Sequence, residues 1–191
     1  MNASEKEHLR QSTKQHLTGM SPQERDGQNR RIVAQLLKRL PPESGGICAY
    51  MPLPDEAEIR PVLEEILARG IPLFLPRFDN QTVTFHSVTS LEGLRPGTSM
   101  ILEPAKDNPE PDPTTITLAL VPGRAFDRHG NRLGRGKAGY DRWIRNQRQA
   151  NPGTRFFGIA FTEQIVDQVP VEAHDEKMDT VITPEGPIAT A

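Results

Sequence analysis

The stretch Arg124-Ala-Phe-Asp-Arg-His-Gly-Asn-Arg-Leu-Gly-Arg-Gly-Lys-Ala-Gly-Tyr-Asp-Arg142 joins an apolar, strand-like run to an amphipathic, helix-like run. It contains four glycines and six arginines and lysines. Glycines let a backbone approach a ligand closely. Cations beside the unpaired amides of a helix start favour an anion, above all phosphate. The sequence therefore predicts a phosphate-binding loop between a strand and a helix of an α/β fold.

Positive charge is concentrated in this region of the chain. From Arg124 to Arg148 there are eight basic residues and only two acids, Asp127 and Asp141. The whole chain has a formal net charge of −2, so the remaining sequence is acidic. One cationic site on an otherwise acidic protein suits a small anionic ligand better than a long polyanion. We expect a small-molecule ligand, no nucleic acid or membrane partner, and a monomer.

Length and composition are those of a soluble globular protein. The 191 residues suffice for a single domain, residues 1–191, with a core of its own. The one cysteine, Cys48, excludes an internal disulfide and a cysteine-rich zinc site, and its apolar surroundings indicate a buried thiol. The charged N-terminus is unlike a signal peptide, and no apolar stretch approaches the roughly 20 residues that span a bilayer. We expect a cytoplasmic protein.

Helix and strand patterns alternate along the chain. Helices are predicted over 4–17, from the capping box at 21–24 to Pro41-Pro42, over 58–69 and over 140–150. Strands are predicted over 47–51, 71–75, 82–88, 115–121, 156–161 and 178–183. The alternation favours a three-layer α/β/α sandwich with a mostly parallel central sheet, similar to a Rossmann fold.

The glycine-rich segment allows four interpretations. A Walker A loop would need glycine at Asn131 and Ser or Thr at Ala138. A Rossmann fingerprint matches the glycine spacing over 134–139 with Glu163 further on, but it begins 13 positions after the strand residue Val121. The third interpretation is another type of phosphate loop, in which arginines as well as amides contact the ligand. The fourth is a mobile surface loop with solvated charges.

The chain resembles the 5-formyltetrahydrofolate cyclo-ligases, also called 5,10-methenyltetrahydrofolate synthetases. Their signature is similar to V-P-G-x-A-F-D-x-x-G-x-R-L-G-x-G, which residues 121–136 fit throughout. Other matches follow in order: Lys6-x-x-Leu9-Arg10, Tyr50-Met51-Pro-x-x-x-Glu56, Leu75-Pro76-Arg77, Glu103-Pro104, Gln164, His174-Asp175 and Asp179. Two departures fall in the loop, where Gly139 replaces the first of two tyrosines and Ala138 replaces a glycine.

The resemblance implies a reaction that uses ATP and Mg²⁺ to convert 5-formyltetrahydrofolate, with or without polyglutamate, into 5,10-methenyltetrahydrofolate, ADP and phosphate. The formyl oxygen would attack the γ-phosphate, and N10 would then close the ring as phosphate leaves. Such a transfer needs cations and a metal around the phosphoryl group more than a general base. The alternatives are a non-catalytic folate- or nucleotide-binding relative and a family member that acts on another substrate.

The resemblance also implies which residues hold the nucleotide. Lys6 and Arg10, four positions apart on one helical face, would reach the phosphates. The loop that would wrap the nucleotide comprises Arg132, Leu133, Gly134, Arg135, Gly136, Lys137, Ala138, Gly139 and Tyr140. Within it, Arg135 and Lys137 would be catalytic, because they would stabilise the transferring phosphoryl group. Tyr140 could stack on a ring or be a core residue.

Four further residues would hold the folate and the metal. Met51 would pack on the folate, and the Glu56 carboxylate would accept two coplanar hydrogen bonds from the pterin ring. Asp141 and Asp179 are the magnesium ligands that the resemblance implies. Each has a structural alternative: Glu56 as a helix-capping acid, Asp141 as a carboxylate at a helix N-terminus, and Asp179 as a turn residue.

Overall fold

A computed structural model describes residues 2–41, 45–79, 82–97, 101–136 and 138–190 of the chain. The α-helices in these ranges are α1 (Asn2–Gly19), α2 (Pro22–Leu37), α3 (Arg60–Ala68) and α4 (Gly139–Ala150). The strands are β1 (Gly46–Cys48), β2 (Leu73–Asp79), β3 (Thr82–Val88), β4 (Arg95–Pro96), β5 (Leu102–Glu103), β6 (Ile116–Pro122), β7 (Ala125–Phe126), β8 (Arg132–Leu133), β9 (Arg155–Ile159), β10 (Thr180–Thr183) and β11 (Gly186–Ala189).

A mixed sheet forms the centre of the described chain. Its seven strands have the order β11-β10-β9-β6-β1-β2-β3. The five inner strands are parallel to one another, and the edge strands β11 and β3 are antiparallel to their neighbours. The expected, mostly parallel sheet is thus confirmed, and so is the strand predicted at 82–88, which is antiparallel to β2.

Helices cover both faces of this sheet. Side chains alternate between the faces of a strand, so Ile47 and Leu118 join one core with residues of α1, α2 and α3. Cys48 and Ala119, the next residues along the same two strands, join a second core with Ile144 of α4. The three-layer arrangement expected from the sequence is therefore confirmed. The thiol of Cys48 is fully buried, as predicted, and burial raises its pKa well above the ordinary value.

Helix starts were predicted with mixed success. The capping box at Ser21 is confirmed, because the Ser21 hydroxyl accepts the Glu24 amide while the Glu24 carboxylate accepts the Ser21 amide. The expected cap at Ser4 is wrong, since α1 begins at Asn2. At its other end α2 stops at Leu37, before Pro41, and Pro42 lies outside the described residues.

The region 122–138, expected to be a loop, contains a small hairpin. β7 and β8 pair antiparallel, and the intervening turn is organised by Asp127. Two-residue strands are too short to produce an alternating pattern, so no signal for them is visible in the sequence. The hairpin also separates β6 from the glycines at 134–139.

The sheet has a topological switch point at β1, where the order of the strands reverses. The chain leaves β1 through α3 to β2 on one side, whereas β6, β9 and β10 lie on the other side of β1. Open α/β sheets bind ligands outside the carboxyl ends of their strands at such a point. The segments that follow Cys48 and Pro122 therefore border the expected ligand position. None of the described helices is long and apolar enough to span a bilayer, and the single domain over 1–191 stays a prediction.

Candidate active site

A cavity of about 310 Å³ opens at this edge of the sheet. It is bordered by the segment after β1, by α1, by the segment after β6 and by residues near 174. Sequence-predicted ligand residues that line it are Lys6, Arg10, Met51, Glu56, Arg132, Leu133, Gly134, Arg135, Gly136, Ala138, Gly139, Tyr140 and Asp141. Lys137, predicted to be catalytic, lies outside the described residues.

Asp179 does not line this cavity. It precedes β10 at the amino edge of the sheet, where its carboxylate accepts the Phe156 amide at 2.7 Å and lies 3.3 Å from the Arg148 guanidinium. Asp141 is at the carboxyl edge, in the first turn of α4. The structure therefore does not bring the two expected magnesium ligands together. The expected pairing of Asp141 with Asp179 is wrong. Asp179 is the turn residue of the alternative interpretation.

Residues of the glycine loop line the cavity. Gly136 has φ +94°, and Ala138, the residue before α4, has φ +51°, which is rare without glycine. Ala138 offers no side-chain cap, so the first amides of α4 keep hydrogen-bonding capacity for an anion. The Nε atom of Arg10 donates to the Gly134 carbonyl oxygen at 3.0 Å, which ties α1 to the loop.

This geometry argues against the Rossmann interpretation of the loop. The β7–β8 hairpin lies between β6 and the glycines, unlike the immediate strand-to-loop step of a Rossmann fingerprint. Glu163, which that fingerprint needs at the ribose, accepts the Gln28 amide group at 2.9 Å and does not line the cavity. Arginines lie beside the loop glycines, as the third interpretation expects, and phosphate binding by this loop stays a prediction.

Arg132 and Asp141 form a buried ion pair at one wall of the cavity. The Arg132 Nη2 atom lies 2.9 Å from Asp141 Oδ1, which also accepts the Glu176 amide at 3.3 Å. The guanidinium lies 5.7 Å from the centre of the Tyr140 ring and donates to the Pro122 carbonyl oxygen. Arg132 is thus fixed by its surroundings and is positioned before any ligand binds.

Lys6 is held by two acids that the sequence did not assign to the site. Its Nζ atom lies 2.8 Å from Glu172 and 2.6 Å from Asp175. Burial lowers the pKa of Lys6, but the hydrogen bonds and charges of Asp175 and Glu172 outweigh it and raise the pKa above the ordinary value. Ligand atoms of Glu172, His174 and Asp175 lie within 4.8 Å of one another. Only the match at His174-Asp175 hinted at this segment.

Arg135 contacts the residue expected to bind the pterin. Its Nη2 atom lies 2.9 Å from Glu56 Oε1 and 2.5 Å from Asp55 Oδ1, and its Nε atom donates to Glu56 Oε1 at 3.2 Å. Asp55 also pairs with Arg124. Burial raises the pKa of Glu56, and the Arg135 charge only partly opposes that rise. Sequence reasoning missed Asp55 and the role of Arg124, because their partners are distant along the chain.

The lining of the cavity carries both signs of charge. Among the described residues its cations are Lys6, Arg10, Arg132 and Arg135, and its acids are Glu56, Asp141, Glu172 and Asp175. The segment 124–148 has an excess of positive charge, but the described lining of the folded cavity does not. The local sequence could not show this, because three of these four acids come from other segments.

Tyr140 is a core residue that also lines the cavity, and its stacking on a ligand ring stays a prediction. Its ring packs at 6.3 Å from the rings of Phe78 and Phe85 and joins the core beside α4, and the residue also lines the cavity. Its hydroxyl is buried without a hydrogen-bond partner among the described residues. Burial, followed by the Glu56 charge, raises the pKa of Tyr140, so the hydroxyl remains a neutral donor.

Fold and cavity together define an α/β protein with a charged ligand cleft at the switch point of a parallel sheet. The profile of the 5-formyltetrahydrofolate cyclo-ligase family matches residues 2–184. The chain therefore belongs to the 5-formyltetrahydrofolate cyclo-ligase family.

Individual relatives agree with this assignment. A 5-formyltetrahydrofolate cyclo-ligase of Mus musculus is 32% identical over 96% of this chain and 96% of its own length. The solved structure of Aquifex aeolicus 5,10-methenyltetrahydrofolate synthetase is similar with a TM-score of 0.81 and 27% identity, covering 96% of this chain and 92% of that one. A synthetase from Mycoplasma pneumoniae, at 22% identity and a TM-score of 0.75 over 94% of this chain and 98% of that one, shares the fold.

Proposed function

We propose that the protein is a 5-formyltetrahydrofolate cyclo-ligase that uses ATP and Mg²⁺ to form 5,10-methenyltetrahydrofolate. The observation that carries this proposal is the shared cavity, which is lined both by cations suited to phosphates and by a carboxylate suited to a pterin. We call Lys6, Arg10, Arg132 and Arg135, with the loop amides, the nucleotide subsite. Met51 and Glu56 form the folate subsite. A small-molecule substrate is consistent with this family, and a monomeric state and a cytoplasmic location stay predictions.

The mixed charge of the lining fits a metal–triphosphate complex. Carboxylates suit Mg²⁺, whereas guanidinium and ammonium groups suit phosphate oxygens. When bound, ATP supplies the phosphoryl group that makes the formyl oxygen a leaving group, and Mg²⁺ neutralises phosphate charge. The uncapped amides at the start of α4 add further donors for an anion.

Magnesium would be held by Asp141 with acids of the 172–175 segment, in place of Asp179. Asp141 and Asp175 both line the cavity. Their segments are joined because the amide of Glu176, the residue after Asp175, donates to Asp141 Oδ1. Glu172 is the third carboxylate in reach, since it shares Lys6 with Asp175. These oxygens are the hard ligands that Mg²⁺ prefers.

The residues of the two subsites would bind and orient the reactants. Glu56 would accept N–H groups of the pterin, and Met51, 6% exposed, would offer an apolar wall beside it. Arg135 would stabilise negative charge on the phosphoryl group in transfer. The phosphoryl acceptor is the substrate's own formyl oxygen, so no side chain is required as nucleophile.

One assay tests this function. Purified protein is mixed with 5-formyltetrahydrofolate, and methenyl absorbance is followed with ATP and Mg²⁺, without ATP, and with a chelator. We expect product only when ATP and Mg²⁺ are both present. Glu56→Gln should raise the KM for folate about 10- to 100-fold, because a charge-assisted pair of hydrogen bonds is lost. Glu58→Gln, in the same loop but paired with Arg60 at the surface, is the matched control.

Other results would select an alternative function. Binding of folate and nucleotide without any product would identify a non-catalytic relative. Binding of adenine nucleotide but not of folate would identify an enzyme with another substrate. Unchanged folate kinetics in Glu56→Gln would show that the folate subsite is placed wrongly.

A further inference from the structure

One ion pair connects the two subsites, and this inference rests on the function proposed above. Arg135 belongs to the nucleotide subsite and Glu56 to the folate subsite, yet in the structure they are each other's partners, at 2.9 and 3.2 Å. The contact spans 79 positions of sequence, so it is made only by the fold.

Both oxygens of the Glu56 carboxylate accept hydrogen bonds from the protein. Oε1 accepts two N–H groups of Arg135, and Oε2 accepts the Leu53 amide at 3.0 Å. The side chain is only 8% exposed, which leaves little room for more donors. A pterin that presents two coplanar N–H groups needs both oxygens in the plane of the carboxylate. The pterin and Arg135 therefore compete for Oε1.

Arg135, in turn, cannot use the same N–H groups for a phosphate while it is paired with Glu56. A guanidinium that donates to Glu56 through Nε and Nη2 directs that edge of its fork away from a phosphate. To bind a phosphoryl oxygen with this edge, Arg135 has to give up Glu56. Each subsite is therefore masked by a residue of the other.

Asp55 makes this exchange of partners feasible. It lies beside Glu56 in the chain, its Oδ1 atom already contacts Arg135 at 2.5 Å, and its side chain is 30% exposed. Arg135 can leave Glu56 and still keep one carboxylate, so the charge of Arg135 stays paired. Arg124 holds the other oxygen of Asp55 and fixes its direction.

We propose that the Arg135–Glu56 pair couples the two subsites, so that a ligand at either one breaks the pair and tightens binding at the other. Coupling of this kind is reciprocal: nucleotide raises the affinity for folate by the same factor by which folate raises that for nucleotide. The enzyme would then fill both subsites together and hold less nucleotide in the absence of folate.

Calorimetry with the full-length protein tests the coupling. A nonhydrolysable β,γ-imido analogue of ATP with Mg²⁺ is titrated into wild type, with and without saturating 5-formyltetrahydrofolate. We expect saturating 5-formyltetrahydrofolate to increase the affinity of the protein for the analogue by at least about five-fold. Glu56→Gln should bind the analogue at least about five-fold more tightly than wild type without folate, because Arg135 is released.

The control separates this release from a general effect of charge. Glu58→Gln removes the same formal charge two positions further along, from a surface acid, and should change the affinity less than about two-fold. A general loss of acidity near the cavity would tighten both variants alike. Thermal unfolding and circular dichroism confirm that each variant is folded.

A second variant serves if Glu56→Gln does not fold. Arg135→Gln unmasks Glu56, so 5-formyltetrahydrofolate alone should bind this variant more tightly than it binds wild type. The coupling would be overturned if Glu56→Gln bound the ATP analogue, and Arg135→Gln bound 5-formyltetrahydrofolate, with the same affinity as wild type. The proposed function would then remain intact. Failure of wild type to bind the ATP analogue at all would overturn both.

Discussion

Two buried tyrosine hydroxyls near the cavity have opposite hydrogen-bonding states. The Tyr50 hydroxyl donates to the Ala57 carbonyl oxygen at 2.9 Å, which fastens the segment after β1. The Tyr140 hydroxyl has no such partner within the described chain. A buried polar group without a partner costs about 1–3 kcal/mol, so Tyr140 weakens the ligand-free fold that its ring stabilises.

Replacement of each tyrosine by phenylalanine should therefore have effects of opposite sign. Tyr140→Phe removes an unsatisfied donor and should raise the free energy of unfolding of the ligand-free protein by about 1 kcal/mol. Tyr50→Phe leaves the Ala57 carbonyl unpaired and should lower it by about 1–2 kcal/mol. Urea denaturation of both variants measures the difference. A destabilised Tyr140→Phe protein would show that this hydroxyl has a partner.

Sequence reasoning was strong at this scale where chemistry is local. The pair Lys6 and Arg10 faces the cavity as the four-residue spacing predicted, and the glycine loop precedes a helix start. It failed at Asp179, which is only four positions from the cavity residue Asp175. Between Asp175 and Asp179 the chain runs beside α4 to the opposite edge of the sheet. There Asp179 forms an ion pair with Arg148.

At the scale of elements, the β7–β8 hairpin positions Arg132 and Leu133 beside the cavity. Its turn is organised by the fully buried Asp127, which accepts the amides of His129 and Asn131 and the Asn131 side chain. A fourth bond, from the Val169 amide at 3.0 Å, fastens the hairpin to the chain after β9. One carboxylate thus holds two segments that share no sequence pattern.

Asp127→Ala should destabilise the protein strongly, because it leaves several buried N–H groups unsatisfied. We expect a loss of about 3 kcal/mol in the free energy of unfolding and weaker binding of the ATP analogue, since β8 carries Arg132. The matched control is Asp112→Ala, an exposed aspartate that accepts the Thr114 amide in a surface turn. Similar losses in the two variants, measured in urea, would show that burial of Asp127 does not matter.

At the scale of the whole molecule, the buried acids set the response to low pH. Burial raises the pKa of Asp127, but its hydrogen bonds with Asn131, Val169 and His129 outweigh this and lower the pKa. Asp55 behaves alike, because Arg135 and Arg124 outweigh its burial. A carboxyl with a lowered folded-state pKa contributes stability above its unfolded-state pKa, and that contribution is lost as the pH falls through the folded value.

The protein should therefore lose stability below about pH 4, the ordinary range of carboxyl groups. Glu56, whose pKa burial raises, opposes this trend because it is protonated more readily in the folded protein. Urea midpoints between about pH 7 and pH 2 measure the curve. In Asp127→Asn the curve should be flatter, and a variant curve parallel to that of wild type would exclude Asp127 as a source of the acid sensitivity.

Most of the large elements were predictable, because each has a period that the sequence displays. The apolar positions of α3 repeat at helical spacing, and β3 alternates along an edge of the sheet. The strand β11 was missed because it contains Gly186 and Pro187, both unfavourable in strands. The pairs β4–β5 and β7–β8 were missed for their shortness.

By itself the sequence determined the alternation of strands and helices, the family signature and the glycine-rich, basic character of the loop. These depend on residues within a few positions of one another, whose backbone preferences and spacing act locally. Only the tertiary structure decided which acids meet the cations: Asp55 and Glu56 meet Arg135, and Glu172 and Asp175 meet Lys6. These partners are separated by 79 to 169 positions, and they meet only because the crossovers of a parallel sheet bring the ends of distant segments to one edge.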